Sequence, residues 1–434
     1  MTEHARASLD FRQNLSIAML SVMAVFLFSR TELFHLGWEM MSRNFQAVSE
    51  PSVSEQEEAL PYALSVPVRF AATGVYGGVY GRYVRVDMSA GDRAFRSARL
   101  LFGDALGESG DFQETSQDAF LLAVCGTSLY CDFLTPLPLS LLAGLMDTSA
   151  ADERSVRSMA LAREKNVINL YLWDGGGEYV RRPTAVSRRE LEELVSRCEL
   201  GNGAFALDLY DTESLYQKIS PLSLLPETLP SLPVYASAVG LPDTGQLLSA
   251  FRFNPLTKSR YTEANGTEVI MEGGRSVRIR TNGNIYYQSG ERGDLTIESA
   301  ADVPTGYEAV RECAALLNRI LIPQGCTPVC PLEVRRQGDG AVLRFGYALN
   351  GIPVFHLDGG AAAVVTLERR KIVSLELRPR RYTATNTDSL LLPLEQASGI
   401  AGLYAGAELC LGYQDTGGSR LNARWFAASR VRSE

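Results

Sequence analysis

LRFGYALNGIPVFHLDGGAAAVVTLERRKIVSLELRPRRYT, residues 343–383, is a chain of apolar runs with the near-alternation of a half-buried sheet. Strands are expected over 341–349, 361–368 and 372–378, with another over 332–337 just before them. An amphipathic helix is expected over 306–321. A helix followed by four antiparallel strands makes a curved sheet with one helix packed on it. Farther on, 394–404 has a helical pattern, and 409–414 with 420–427 closes the chain as a hairpin.

Working back, short strands are expected over 268–271, 276–281 and 284–288. The dipeptides Asn265-Gly266, Gly273-Gly274 and Asn282-Gly283 turn the chain between them. A short helix is expected over 243–251. The stretch SPLSLLPETLPSLP, 220–233, carries four prolines that forbid a regular helix or central strand, and it reads as an extended connector. Before it, strands are expected over 62–70 and 79–88, split by a Gly-rich turn at 73–78. A helix follows over 91–106, then strands over 120–124, 129–133, 158–163 and 167–173. Ser187-Arg188-Arg189-Glu190 is a capping box that opens a helix, and 204–210 reads as a further strand. The pattern is α+β rather than a regular βα alternation.

Residues 14–28, NLSIAMLSVMAVFLF, carry no charge. The run is short for a bilayer crossing, which takes about 20 apolar residues. Arg30 can snorkel, with Phe34, Leu36 and Trp38 as an interfacial shoulder. Phe28-Ser29-Arg30 offers no small-x-small cleavage pattern and no lipobox cysteine follows, so the segment reads as an uncleaved anchor. Residues 45–61 are polar and acidic, as in a flexible linker. The expected organisation is a cytoplasmic tail 1–13, a transmembrane anchor 14–38 and a linker 39–61. A first α+β domain follows over 62–219, then a Pro-rich connector with a β-rich central domain over 220–300, and a C-terminal α+β domain over 301–434. The fold class is thus a membrane helix followed by two or three α+β domains with curved antiparallel sheets and packed helices.

Composition narrows the chemistry. A net charge of −8 lacks the basic stripe that nucleic acid requires. Three histidines and seven scattered cysteines without a CxxC pair argue against a metal centre, and no cofactor motif is present. Cys125 with Cys131, or Cys326 with Cys330, stand near enough to pair; the plainer reading is buried thiols. Two Asp-Thr-Gly triplets, 243–245 and 415–417, are the pattern that aspartic proteases use in pairs. Their contexts differ from that family: Asp243 follows a proline and reads as a helix cap, and Asp415 stands in a Gly-rich hairpin turn. His356 reads as a sheet-edge or loop histidine. Gly175-Gly176-Gly177 reads as a hairpin turn and not a phosphate loop. No catalytic residue is therefore expected. Tyr286, Tyr287, Tyr347 and Phe355 lie on strands and are the candidate outer-domain contacts. Tyr286 and Tyr287 must face opposite sides of their sheet, so only one of them can belong to the core.

Two stretches resemble a known family. Residues 251–288 carry Phe253-Asn254-Pro255, Arg260-Tyr261-Thr262-Glu263, the Asn282-Gly283 turn and a closing Gly283-x-Ile285-x-Tyr287 strand, and so resemble the central region of the YycH family. Residues 343–383, with Gly351-Ile352-Pro353-Val354, resemble the module that YycH shares with YycI. The ending LCLGYQD and RLNARWFA is similar to the closing hairpin of such modules, with Ala423 where they carry proline. The resemblance implies a non-enzymatic protein on the outer face of a Gram-positive membrane. Its expected partner is an essential sensor histidine kinase that controls cell-wall turnover, with a second family member or another copy of the chain as a further one. Ser16, Ala18, Ser21 and Ala24 would give the anchor a small-residue face for close helix packing, or would simply face lipid. The competing readings are a module that binds an envelope ligand such as a wall fragment and, less favoured, an exported hydrolase.

Overall fold

Strands outnumber helices in the computed structural model, which describes residues 64–428 apart from 77, 93–94, 212–213, 242, 255, 257–258, 291–294 and 405. The tail, anchor and linker expected over 1–61, with Ser16, Ala18, Ser21 and Ala24, lie outside the described residues. Among the described residues no helix is long and apolar enough to cross a membrane. The first part of the chain contributes β1 (Pro67–Tyr76), β2 (Val79–Ser89), α1 (Arg96–Gly107), β3 (Gln113–Glu114), α2 (Gln117–Cys125), β4 (Ser128–Pro138), α3 (Leu139–Leu145), β5 (Ser155–Glu164), β6 (Val167–Trp173), β7 (Tyr179–Thr184) and α4 (Arg188–Ser196). The middle contributes β8 (Gly203–Phe205), β9 (Leu224–Pro226), β10 (Pro233–Val239), α5 (Thr244–Ala250), β11 (Arg260–Thr262), β12 (Glu268–Glu272), β13 (Arg275–Ile279) and β14 (Ile285–Gln288). The last part is α6 (Gly306–Leu321), β15 (Val329–Gln337), β16 (Gly340–Leu349), β17 (Ile352–His356), β18 (Ala363–Glu368), β19 (Lys371–Leu377), β20 (Arg380–Asp388), α7 (Leu394–Ala401), β21 (Glu408–Asp415), β22 (Arg420–Leu421) and β23 (Ala423–Ala428). The fold is mixed α+β.

The first seven strands form one antiparallel sheet in the order β2-β1-β4-β5-β6-β7-β3. Edge strand β2 alternates buried and half-buried residues, whereas the central strands β5 and β6 are buried along most of their length. That contrast is what a sheet covered on both faces produces. Helix α2 lays Phe120 against Tyr130, Tyr171 and Tyr179, with ring centroids 5.4–6.5 Å apart. The second sheet has 11 strands, running β11-β12-β13-β14-β19-β18-β16-β17-β21-β23 with β15 also on β16. All its pairings are antiparallel except β17 with β21. A three-stranded sheet, β20-β10-β22, ties the middle of the chain to its end.

The two large sheets share one continuous apolar core, from Val66 to Ala423. Helix α3 packs on α6 so closely that a Cβ at Gly144 would stand 2.2 Å from the Tyr307 ring. Only glycine permits that approach.

Several local expectations change. Residues 120–124 are helical, inside α2, and not a strand. A short apolar run cannot distinguish the two, and the decisive signal is Ser116, whose Oγ accepts from the Ala119 N–H at 3.1 Å as an N-cap. Residues 73–76 of the expected turn lie within β1, and Gly74 serves close packing there, since a Cβ would meet Val195 of α4 at 2.6 Å. Residues 203–205 are strand, but 206–209 continue as a 3-10 turn. The proline-rich stretch is extended only in part, since 220–223 turn with the Ser223 N–H donating to the Ser220 carbonyl at 3.0 Å, and it is packed: Leu222, Leu224, Leu225 and Leu232 are buried, and β9 pairs with β8. Helix α3, apolar but for Ser140 and buried nearly all round, has no amphipathic pattern to announce it. The helix over 306–321, the cap at Asp243 and the capping box at Ser187 form as expected.

Candidate functional site

Strand β21 carries an acid at each end, Glu408 and Asp415, and both are buried (4% and 2% exposed). A buried carboxylate must be paired or hydrogen-bonded, and the two ends achieve this differently.

At the first end, Glu408 reaches the other sheet. Arg69 of β1 and Arg157 of β5 both pair with it, and both also face Asp132 of β4. Two guanidiniums and two carboxylates thus form a closed quartet. Arg69 donates a further bond to the Leu409 carbonyl at 3.1 Å, so the backbone of β21 is held as well as its side chain. Asp132 accepts from the Leu134 N–H at 2.8 Å, where β4 bulges and Leu134 takes a positive φ of 68°. Burial would raise the Asp132 carboxyl, but Arg69, Arg157 and that N–H outweigh it and hold the group below its ordinary range. Burial likewise opposes the charge on Arg69, and Asp132 overcomes it.

At the other end, Asp415 stays within its own half of the molecule. It accepts from the Tyr382 hydroxyl at 2.7 Å and the Gly417 N–H at 2.7 Å, and lies 3.3 Å from Arg380 Nε. The parallel register of β17 and β21 sets His356 beside it, with Nδ1 at 3.8 Å. Tyr347 closes the cluster, its ring 5.5 Å from Tyr382 and 6.2 Å from His356. Burial lowers the His356 pKa despite the nearby Asp415 carboxylate, which keeps the imidazole neutral near pH 7. Burial, with Asp415 beside it, raises the Tyr382 hydroxyl pKa. An imidazole beside a carboxylate is two parts of a proton-transfer relay. The His356 Nε2 atom that would complete such a relay is buried and takes no hydrogen bond among the described residues.

The four aromatics expected at a surface do not share one. Tyr287 stacks on Phe251 in the core and Tyr347 is buried in the Asp415 cluster, each 1% exposed. Neither ring is available at the surface of this fold. Tyr286 is half-buried under Arg280 and donates to Glu376 at 3.3 Å; Phe355 packs against Phe426. Tyr286 and Tyr287 do face opposite sides of the sheet. The two Asp-Thr-Gly triplets do not form a facing pair. Asp243 is an exposed cap, and Asp415 is a buried strand end and not the surface turn residue that its glycines suggest.

All seven cysteines are free. Burial raises Cys198 to about 11 and Cys330 to about 12, the behaviour of inert thiols. No group of three or more metal-ligating side chains lies among the described residues. The quartet went unread in the sequence, although it left a trace. Arg69 and Asp132 interrupt the apolar runs SVPVRFAA and SLYCDFL, and a charge in a central strand needs a partner. No protein family, curated protein or solved structure matches the chain.

Proposed function

We propose that this protein is a non-enzymatic, membrane-tethered regulator on the outer face of a Gram-positive cell, which binds a sensor histidine kinase controlling cell-wall turnover and tunes its activity. The observation that carries the reading is the uncharged run 15–28 ahead of a large folded body. Two further features support it. The stretches 251–288 and 343–383 resemble the YycH and YycI modules, and the charges buried at the Glu408 end of β21 are committed to one another and not to an open cleft. The regulator would act by binding one signalling state of the kinase more tightly than the other, since only a differential affinity shifts an equilibrium. The anchor would pack beside the kinase helices through Ser16, Ala18, Ser21 and Ala24.

The test is co-purification from detergent-solubilised membranes, with the full chain and a form lacking residues 1–30. Recovery of a sensor histidine kinase with the full chain, reduced by the deletion, is the expected result. Recovery of no kinase with the full chain overturns the proposal.

A further inference from the structure

A concavity away from β21 lies where the end of α1, the loop 108–112, the segment 149–154 and β7 meet. It is a cavity of about 250 Å³. Phe112 forms one wall, its ring flanked by two guanidiniums, Arg154 at 4.8 Å and Arg182 at 4.5 Å from its centroid. Arg182 is buried (7% exposed) and makes no ion pair among the described residues. Its terminal nitrogens are spent on the carbonyls of Ala105 and Gly110, at 2.7 and 3.1 Å, and its Nε is buried without a partner. The guanidinium bonds only neutral oxygens directly, and Glu108 and Asp152 answer its charge through space, so positive and negative groups face one another across the cavity. Arg154 adds a second guanidinium, paired through Nε with Asp152 and 4.0 Å from Glu178, and at 31% exposure it is within reach of solvent.

Acids line the same cavity: Glu108, Asp111 and Asp152. Asp152 is engaged by Arg154 at 2.6 Å, and Glu108 receives the Ala185 N–H on both oxygens, at 2.8 and 2.9 Å. Asp111 is exposed on the loop. A purely anionic ligand would meet these carboxylates, and a purely cationic one would meet the two guanidiniums. A molecule carrying both charges a few bonds apart satisfies each side. The volume lies below the roughly 300–1,000 Å³ typical of drug-sized ligand sites, and so suits an amino acid or a very short peptide.

We infer that this cavity is a binding site for a small zwitterion of the amino-acid or dipeptide class, its carboxylate toward Arg154 and its ammonium toward Asp111. Arg182 supplies a fixed positive charge, and Arg154 supplies the donors that can pair with a carboxylate. The site is independent of the kinase reading and stands or falls separately from it.

The experiment is calorimetric titration of the full chain in detergent with alanine and with alanylalanine. Propionate and ethylamine serve as half-ligands. The expected result is saturable binding of at least one zwitterion, with each half-ligand at least about tenfold weaker. Arg154→Gln should weaken the zwitterion by about tenfold or more, and Asp111→Asn should weaken it while leaving propionate unchanged or tighter. Both substituted side chains reach solvent, and an unchanged melting temperature will show that each variant is folded. Binding of neither zwitterion, or binding that Arg154→Gln leaves intact, overturns the site.

Discussion

The two ends of β21 solve one problem in two ways. At Glu408 the buried carboxylate is balanced by full charges from the opposite sheet, and the quartet is neutral as a whole. At Asp415 the carboxylate is held by a phenol, a backbone N–H and an arginine, with a neutral imidazole alongside. The first arrangement is strong while complete and costly when one member is missing. The second is graded, because it contains a titratable imidazole whose pKa burial lowers. A strand fixed rigidly at one end and adjustably at the other is the physical lesson of the comparison, and each end can be broken separately.

The largest effect is expected at the quartet. Glu408→Ala leaves Arg69 and Arg157 buried with one carboxylate between them. Removing one partner of a buried ion pair typically costs about 3–5 kcal/mol. Chemical denaturation should show a loss of that size, and a loss below about 1 kcal/mol would show that water already screens the quartet. A sharper form replaces all four members together, Arg69→Met, Asp132→Leu, Arg157→Met and Glu408→Leu. If burial of unpaired charge is the cause, the quadruple variant should recover most of the stability that Glu408→Ala loses, because apolar replacement of a whole buried network is often neutral.

A smaller effect is expected at the other end. Asp415→Asn keeps the shape but has one acceptor for the two donors, the Tyr382 hydroxyl and the Gly417 N–H, and removes the charge facing Arg380. Arg380 is 18% exposed along its side chain and can find water, so the expected cost is about 1–2 kcal/mol. Equal losses for Glu408→Ala and Asp415→Asn would erase the distinction between the ends.

The sequence disclosed these regions unequally. Strands β16, β18 and β19 were legible because alternation is local, each residue's face following from its neighbours; the extents of β17 (Ile352–His356) and β20 (Arg380–Asp388) were not. The helix over 306–321 was legible from its amphipathic pattern alone; the capping box that Thr305 and Glu308 form at its start was not read. The quartet was not, since its pairing joins residues up to 339 positions apart and depends on which strand lies opposite which. Asp415 was misread for a related reason. Thr416, Gly417 and Gly418 signal a turn, and a turn does occur beside it, but tertiary packing buries the residue that begins it. His356 was expected as an edge or loop histidine. The short parallel pairing of β17 with β21 makes it a half-buried neighbour of Asp415, and no local pattern announces a parallel partner 59 positions away.

The smallest effect separates the two ends by pH. His356 has a lowered pKa because burial disfavours its charged form, with Asp415 and Asp358 opposing that shift and Arg378 and Arg380 reinforcing it. Above about pH 6.5, the ordinary histidine value, the imidazole is neutral in the folded and unfolded chain alike and contributes no pH dependence. As pH falls below that value the unfolded chain takes up the proton first, so stability declines until the folded pKa is passed. Asp132 behaves in a lower window. Its folded pKa is depressed, so its contribution is complete above the ordinary carboxylate value of about 4 and is lost as pH falls through its folded pKa. Thermal melts from pH 8 to pH 3 should therefore show a first decline beginning near pH 6.5, of about 1 kcal/mol or less, to which His356 contributes, and a separate drop below about pH 4. In His356→Gln that decline should shrink while the drop at lower pH remains. Were the substitution to leave the slope between pH 7 and pH 5 unchanged, the imidazole would not be held neutral at this position, and the graded end of β21 would owe its character to Tyr382 and Arg380 instead.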